Sequence, residues 1–304
     1  MLRPRDWREL EEFAHGIRTS VVRMLVAAGS GHLGGSMSSA DILAVLYGSV
    51  LNLYPDAPKA NHRDRFILSA GHVAPAYYAA LALRGFFDEE LLYTLRQLGS
   101  PLQGHPSLMH GLPGVESSSG SLGQGLSIAL GLALGARMRN ESWRAYVLMG
   151  DGELQEGQVW EAAMAASHHQ VGNLVAIVDR NGLQIDGPTS EVMNLEPLAS
   201  KWLAFGWNVI EVDGHSVREL QTALGQVSVS GNTRPSLIIA KTVMGCGIES
   251  IEGDHQWHGK APTAEQGTKF LAELERSYQG RQMGWRGAGP EPLRVYRAKR
   301  GGAC

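Results

Sequence analysis

The chain has 304 residues, 43% hydrophobic and 19% charged, which is ample for a large buried core in one or two domains. A net charge of −3 does not mark a nucleic-acid binder, and two cysteines, Cys246 and Cys304, imply no disulfide framework and suit a reducing cytoplasm. The opening stretch up to Phe13 lacks an apolar signal core, and no run approaches the roughly 20 apolar residues that span a bilayer.

In chain order, residues 7–28 repeat apolar positions at helical spacing: Trp7, Leu10, Phe13, Ile17, Val21, Met24 and Leu25. That helix should end near Gly29, with a loop over Ser30–Gly35. Ser38 or Ser39 is the expected cap of a second helix to about Leu51, with Asp41 in its first turn. Residues 65–69 read as a strand broken by Ala70-Gly71-His72, and a helix follows from Ala74 with Pro75 tolerated in its first turn. A short helix is expected over 88–97, then a Gly/Pro/Ser-rich loop to 120 carrying His105 and His110. Ser121–Arg139 is glycine-studded yet apolar and reads as a buried, closely packed helix. Strand 145–149, helix 157–169, strands 174–178 and 207–212, helix 216–227 and strand 236–240 complete the alternation. Such alternation specifies an α/β fold with a doubly wound, mostly parallel sheet flanked by helices, whose ligands bind beyond the carboxyl ends of the strands. His72, Asp151, Asn181 and Met244 follow strands and should converge there. One domain over 1–275 is expected, with a basic, Gly/Pro-containing tail over 276–304; from Gly280 onward it holds six Lys/Arg against one Glu. The tail reads either as a frayed terminus or as an arm that docks on a partner.

Gly150-Asp151-Gly152-Glu153 and Asp179-Arg180-Asn181-Gly182 each follow an apolar strand. A carboxylate and a neutral amide oxygen at one sheet edge are hard ligands suited to Mg²⁺, and substrate phosphates and water would fill the remaining positions. Either segment alone is an ordinary turn; together, on successive strands, they form a layout for holding a diphosphate through a metal.

These segments, with Arg63–His72, Gly120-Ser121-Leu122-Gly123-Gln124-Gly125 and Trp257-His258-Gly259, resemble the diphosphate-binding domain of transketolase over about residues 10–270. Leu102–Pro106, Pro113–Glu116 and the chain length point to the N-terminal subunit of a split transketolase. The resemblance implies thiamine diphosphate and Mg²⁺ as cofactors. It implies Asp151, Asn181 and the Leu183 carbonyl as metal ligands, and Gly152 as an N–H donor to the diphosphate. Gly120 and Leu122 match positions against the thiamine, and His32, His72, His105 and His258 match positions lining the substrate channel, with His72 and His258 also beside the cofactor. Ketol transfer moves protons on and off sugar oxygens near neutral pH, a task that suits histidine. Any one of the four could instead be a hydrogen-bonded scaffold residue. The remaining histidines, His215 among them, are assigned to surface or packing. Glu156, counted with the cofactor-binding set, and Glu161 match acids at the family's dimer interface; both would also stabilise a helix start.

The glutamate that acts on the cofactor's pyrimidine ring belongs, in transketolases, to a pyrimidine-binding domain absent from this sequence. The resemblance therefore implies a chain inactive by itself and a partner in the form of a separate C-terminal subunit. It also implies a two-plus-two heterotetramer, sugar substrates and no membrane or nucleic-acid partner. The alternatives are a split thiamine enzyme that decarboxylates a 2-oxo acid and transfers the acyl or acyloin unit, and a non-catalytic scaffold. Two departures stand out: Ser107 replaces an acid common after the His-Pro pair, and Met244-Gly245-Cys246-Gly247 replaces a Lys-Gly-Lys-Gly loop. Loss of those two cations at the active-site mouth suggests an altered acceptor, one without phosphate.

Overall fold

The computed structural model describes residues 6–228, 231–284 and 293–297. Its main sheet has β1 (Arg65–Leu68), β2 (Ala145–Gly150) and β3 (Leu174–Arg180) side by side; β4 (Leu183–Gln184) and β5 (Gly187–Pro188) form a separate small hairpin. β6 (Asn208–Asp213), β7 (Ser236–Lys241) and β8 (Arg294–Tyr296) complete the main sheet in the order β1-β2-β3-β7-β6-β8. All its pairings are parallel except β6 with β8. The central strands are apolar on both faces, as a sheet covered on both sides requires. Tyr146 and Leu148 of β2 and Val175 and Ile177 of β3 enter one core. Their alternates Val147, Met149, Ala176 and Val178 enter the other.

The first core packs beneath α1 (Trp7–Ala28), α2 (Gly34–Ser38), α3 (Ala40–Val45) and α4 (Ala74–Leu83); the second beneath α5 (Gln124–Met138) and α6 (Gly157–His168). Asp6 and Glu9 form a reciprocal capping box that opens α1, and Gly29 in the left-handed region closes it, so both ends are set by local sequence. The rest of the helical set is α7 (Thr189–Val192), α8 (Leu198–Ala204), α9 (Val217–Val227) and α10 (Ala264–Gly284).

The five expected strands lie within two residues of their expected bounds, β4, β5 and β8 have no counterpart among them, and several helices differ from the sequence reading. The second helix starts at Gly34, is interrupted at Ser39 and ends in a π turn over Leu46–Val50. Ser38 and Ser39 do not cap it. Both are buried and turn their hydroxyls back to the Gly35 carbonyl, at 3.0 and 2.8 Å. Residues Glu89–Thr94 form 3₁₀ turns rather than a regular helix. α5 buries one face only, since Ile128 and Met138 are exposed. α7, α8 and α10 have no counterpart among the expected elements. α10 is polar apart from a narrow stripe including Phe270 and Leu274 that reaches the core. The boundary expected near 275 falls inside α10, and β8 lies within the expected tail; the question of a docking arm otherwise falls on residues outside those described.

Candidate functional site

The carboxyl ends of β1, β2, β3 and β7 open into one cavity of about 370 Å³. Each strand delivers its chemistry within a few residues of its end: His72 after β1, Asp151 and Gly152 after β2, Asn181 and Leu183 after β3, Met244 after β7. His32 and His258 come from loops flanking α2 and α10, His105 from the long loop before α5, and Gly120 and Leu122 from the approach to α5. All eleven residues singled out from the sequence line this cavity.

The four histidines form one cluster. The His32 ring lies 5.4 Å from His72, 6.2 Å from His105 and 5.8 Å from His258 between centroids, and His72 lies 4.9 Å from His258. Burial, and then neighbouring positive charge, lowers His32 to about 4 and His72 to about 3. Burial likewise lowers His105 and His258. All four are therefore neutral near pH 7. Nδ1 of His32 and of His258 is buried without a hydrogen-bond partner among the described residues. Such nitrogens are costly unless a ligand satisfies them.

At the strand ends, Asp151 Oδ1 accepts the Gly152 N–H at 2.9 Å, and Oδ2 accepts Gly182 N–H at 2.7 Å and Arg180 Nη1 at 2.9 Å. Burial pushes this carboxyl up, against those donors. Asn181 turns its Nδ2 toward Asp179 at 3.3 Å and Ser38 at 3.5 Å, while its Oδ1 accepts Leu183 N–H at 3.0 Å. Pro188 stands opposite Leu183 in the small hairpin and has no N–H to offer its carbonyl. Carboxylate, amide and carbonyl oxygens are the hard donors that Mg²⁺ takes, so this set fits the metal, with further positions left for ligand oxygens. The Gly152 N–H, expected to face a diphosphate, is turned to Asp151 here. Glu156 is exposed and occupies the cap position before α6 without capping it, and Glu161 is exposed one turn further on.

Asp179, Glu153, Gln184 and Asp186 also line the cavity, although the sequence reading gave them no role. Burial raises Asp179 to about 6 against hydrogen bonds from Ser38 and Thr242. Five carboxylates and no lysine or arginine line the cavity among the described residues.

His215 belongs to neither surface nor simple packing. Its Nδ1 lies 2.8 Å from Asp41 Oδ2, and its Nε2 accepts the Val243 N–H at 2.8 Å. Asp41 is also gripped by both Arg18 Nη atoms, at 3.2 and 2.5 Å, and Arg281 lies 3.7 Å away and donates to Cys246 Sγ at 3.1 Å. Asp41, His215 and Cys246 have ligand types that suit zinc, but two guanidiniums already occupy the anions. Cys246 therefore sits in this cluster, whereas Met244, packed on Gly34, lines the cavity. Of the two lost cations expected at the mouth, only the one replaced by Met244 faces the site.

Residues 10–278 match the family described as transketolase, thiamine diphosphate binding domain. The chain is 42% identical over 257 residues to one of the subunits of apulose-4-phosphate transketolase from Phocaeicola vulgatus, covering 84% of this chain and 90% of that protein. It is 41% identical over 268 residues to 6-deoxy-6-sulfo-D-fructose transketolase subunit SqwG of a Clostridium species, covering 88% and 97%. Against human transketolase it is 40% identical, covering 90% of this chain but 43% of that one. A transketolase variant of Pichia stipitis crystallised with fructose 6-phosphate superposes with a TM-score of 0.80 at 29% identity, covering 90% of this chain and 44% of that one. Campylobacter jejuni transketolase gives 0.79 at 32% identity, covering 93% and 48%. The chain thus spans less than half of the full-length transketolases it matches and nearly all of the two relatives that are single subunits. It belongs to the transketolase family, through its thiamine diphosphate binding domain.

Proposed function

We propose that this transketolase-family chain is the diphosphate-binding subunit of a two-chain transketolase that moves a two-carbon ketol unit from a ketose to an aldose. The observation that carries the reading is the cavity itself: three oxygen donors at the ends of β2 and β3 face four neutral, clustered histidines. Thiamine diphosphate, when bound, supplies the nucleophilic carbon. Asp151, Asn181 and the Leu183 carbonyl would hold Mg²⁺ and through it the diphosphate, with Gly120 and Leu122 against the thiamine. The chain's own contribution is positional and protic. His32, His72, His105 and His258 line the cavity, and rings neutral near pH 7 can take or give a proton at a sugar oxygen held there.

Relatives named as single subunits of a transketolase support a second chain; that it carries the pyrimidine-binding domain and pairs in a two-plus-two heterotetramer is part of the same proposal. A cytoplasmic location is part of the same reading; among the described residues no helix is long and apolar enough to cross a membrane. The two relatives named for a sugar phosphate and a sulfonated sugar favour an anionic substrate, against the phosphate-free acceptor suggested by the Met244 loop. Co-purification from the native host in Mg²⁺ and thiamine diphosphate, followed by a ketol-transfer assay of the chain with and without its companion, tests the reading. Activity should require a stoichiometric companion chain. Full activity of the single chain, or carbon dioxide release from a 2-oxo acid by the pair, would overturn it.

A further inference from the structure

Three separate segments must keep register for the proposed site to work: residues 69–72 ending in His72, residues 120–125 with Gly120 and Leu122, and residues 150–153 with Asp151 and Gly152. One side chain touches all three. Glu153 is 2% exposed, and its Oε1 accepts both the Ser69 hydroxyl and the Gly123 N–H, the latter at 2.8 Å. Its Oε2 accepts the Gly150 N–H at 3.2 Å. The Ser69 oxygen in turn accepts the Gly125 N–H at 3.0 Å. The segments approach so closely that a Cβ on Gly125 would overlap the Ser69 side chain, and one on Gly71 would lie 2.8 Å from the Gly120 nitrogen. The partners of the Glu153 carboxylate are one O–H and two N–H donors, with no arginine or lysine beside it among the described residues. A carboxylate, which only accepts, matches that set.

We propose that Glu153 is a positioning residue: its carboxylate fixes the distance between the diphosphate end of the cavity at Asp151–Gly152 and the thiamine wall at Gly120–Leu122, with His72 held to both. The inference rests on the functional reading above. Glu153→Gln preserves shape but turns an NH₂ against N–H or O–H donors, so at least one bond is lost and one donor faces another. Misplacement of one wall by a fraction of an ångström weakens a ligand that must touch both.

The test compares wild type, Glu153→Gln, Ser69→Ala and a control, Leu174→Ala, which opens a hole at the far end of β3. Each full chain is titrated with thiamine diphosphate and Mg²⁺ at a temperature where circular dichroism shows it folded, and amide exchange is followed by mass spectrometry. Glu153→Gln should bind at least about tenfold more weakly, with exchange rising together in 69–72, 120–125 and 148–153. Ser69→Ala should do the same to a lesser degree. Leu174→Ala should melt earlier yet bind within twofold of wild type. The proposal is overturned if Glu153→Gln binds within twofold of wild type, if its exchange rises only in 148–153, or if Leu174→Ala loses as much affinity. A wild-type chain that takes up no cofactor, alone or with its companion, defeats the functional reading instead; the exchange pattern then decides by itself whether the three segments are tied.

Discussion

The loop after β7 touches two polar regions, the cavity through Met244 and the Asp41 cluster through Cys246, and they are built differently. Around Asp41 every charge is answered: Arg18 takes both carboxylate oxygens, His215 a second contact on one of them, and Arg281 the Cys246 sulfur. Across the cavity the answering charges are fewer: Arg180, from outside the lining, reaches Asp151, and Asp179 and Glu153 have only neutral donors. Five carboxylates line it without a lysine or arginine among the described residues, and His32 and His258 keep bare ring nitrogens. Burial is expensive for polar groups in both places. Where the partners are all supplied by the chain, the cluster holds the fold together; where they are fewer, the proposed Mg²⁺ and diphosphate would add theirs.

The comparison breaks most sharply at its two aspartates. Asp151→Asn should lower Mg²⁺-dependent thiamine diphosphate affinity by more than the roughly 10–100-fold that an outer-shell substitution costs, with a smaller loss of stability than at Asp41 because Arg180 keeps its bond to Glu196. Asp41→Asn should do the reverse. It strands the Arg18 guanidinium and should cost about 3–5 kcal/mol in chemical denaturation, with affinity retained at low temperature. Equal losses of affinity in both variants would erase the distinction.

Acid should sharpen it next. An unfolded histidine takes its proton near 6.5, whereas His32 and His72 do so only near 4 and 3 when folded. Below pH 6.5 the unfolded chain therefore binds more protons, and stability falls as pH drops toward 4, by up to about 1.4 kcal/mol per pH unit for each such histidine. Denaturation midpoints across that window should show the slope, and a His32→Asn/His72→Asn chain should flatten it.

The smallest expected effect concerns Met244. A lysine there would be the first lysine or arginine on the cavity wall among the described residues, and Met244→Lys should raise affinity for inorganic pyrophosphate in a metal-free buffer by a few fold, measured by calorimetry. No change would mean that position 244 lies too far from the anion to matter.

Much of this was legible in the sequence, because the signals were local. Gly150-Asp151-Gly152 and Asp179–Gly182 stand directly after apolar runs, and β-strand ends place them without further information. The histidines came from motif resemblance, and their mutual distances could not be read from spacing, since they lie on four separate segments. What escaped was non-local. Ser38 looks like a helix cap, but its hydroxyl lies within hydrogen-bond reach of the Gly35 carbonyl and of Asp179 instead. His215 looks like a surface residue until α3 brings Asp41 beside it. Glu153 belongs to a segment read for its aspartate, and nothing along the chain shows that Ser69 and Gly123 meet it. α10 was missed because its apolar stripe is too narrow to stand out from its charged faces.

The most direct measurement is a calorimetric titration of the chain, with its companion if one co-purifies, by thiamine diphosphate in Mg²⁺ and again in excess chelator. A cavity lined, among the described residues, by anions and neutral groups predicts binding with Mg²⁺ and loss of it without. Equal affinity in both buffers, or none in either, would contradict the account.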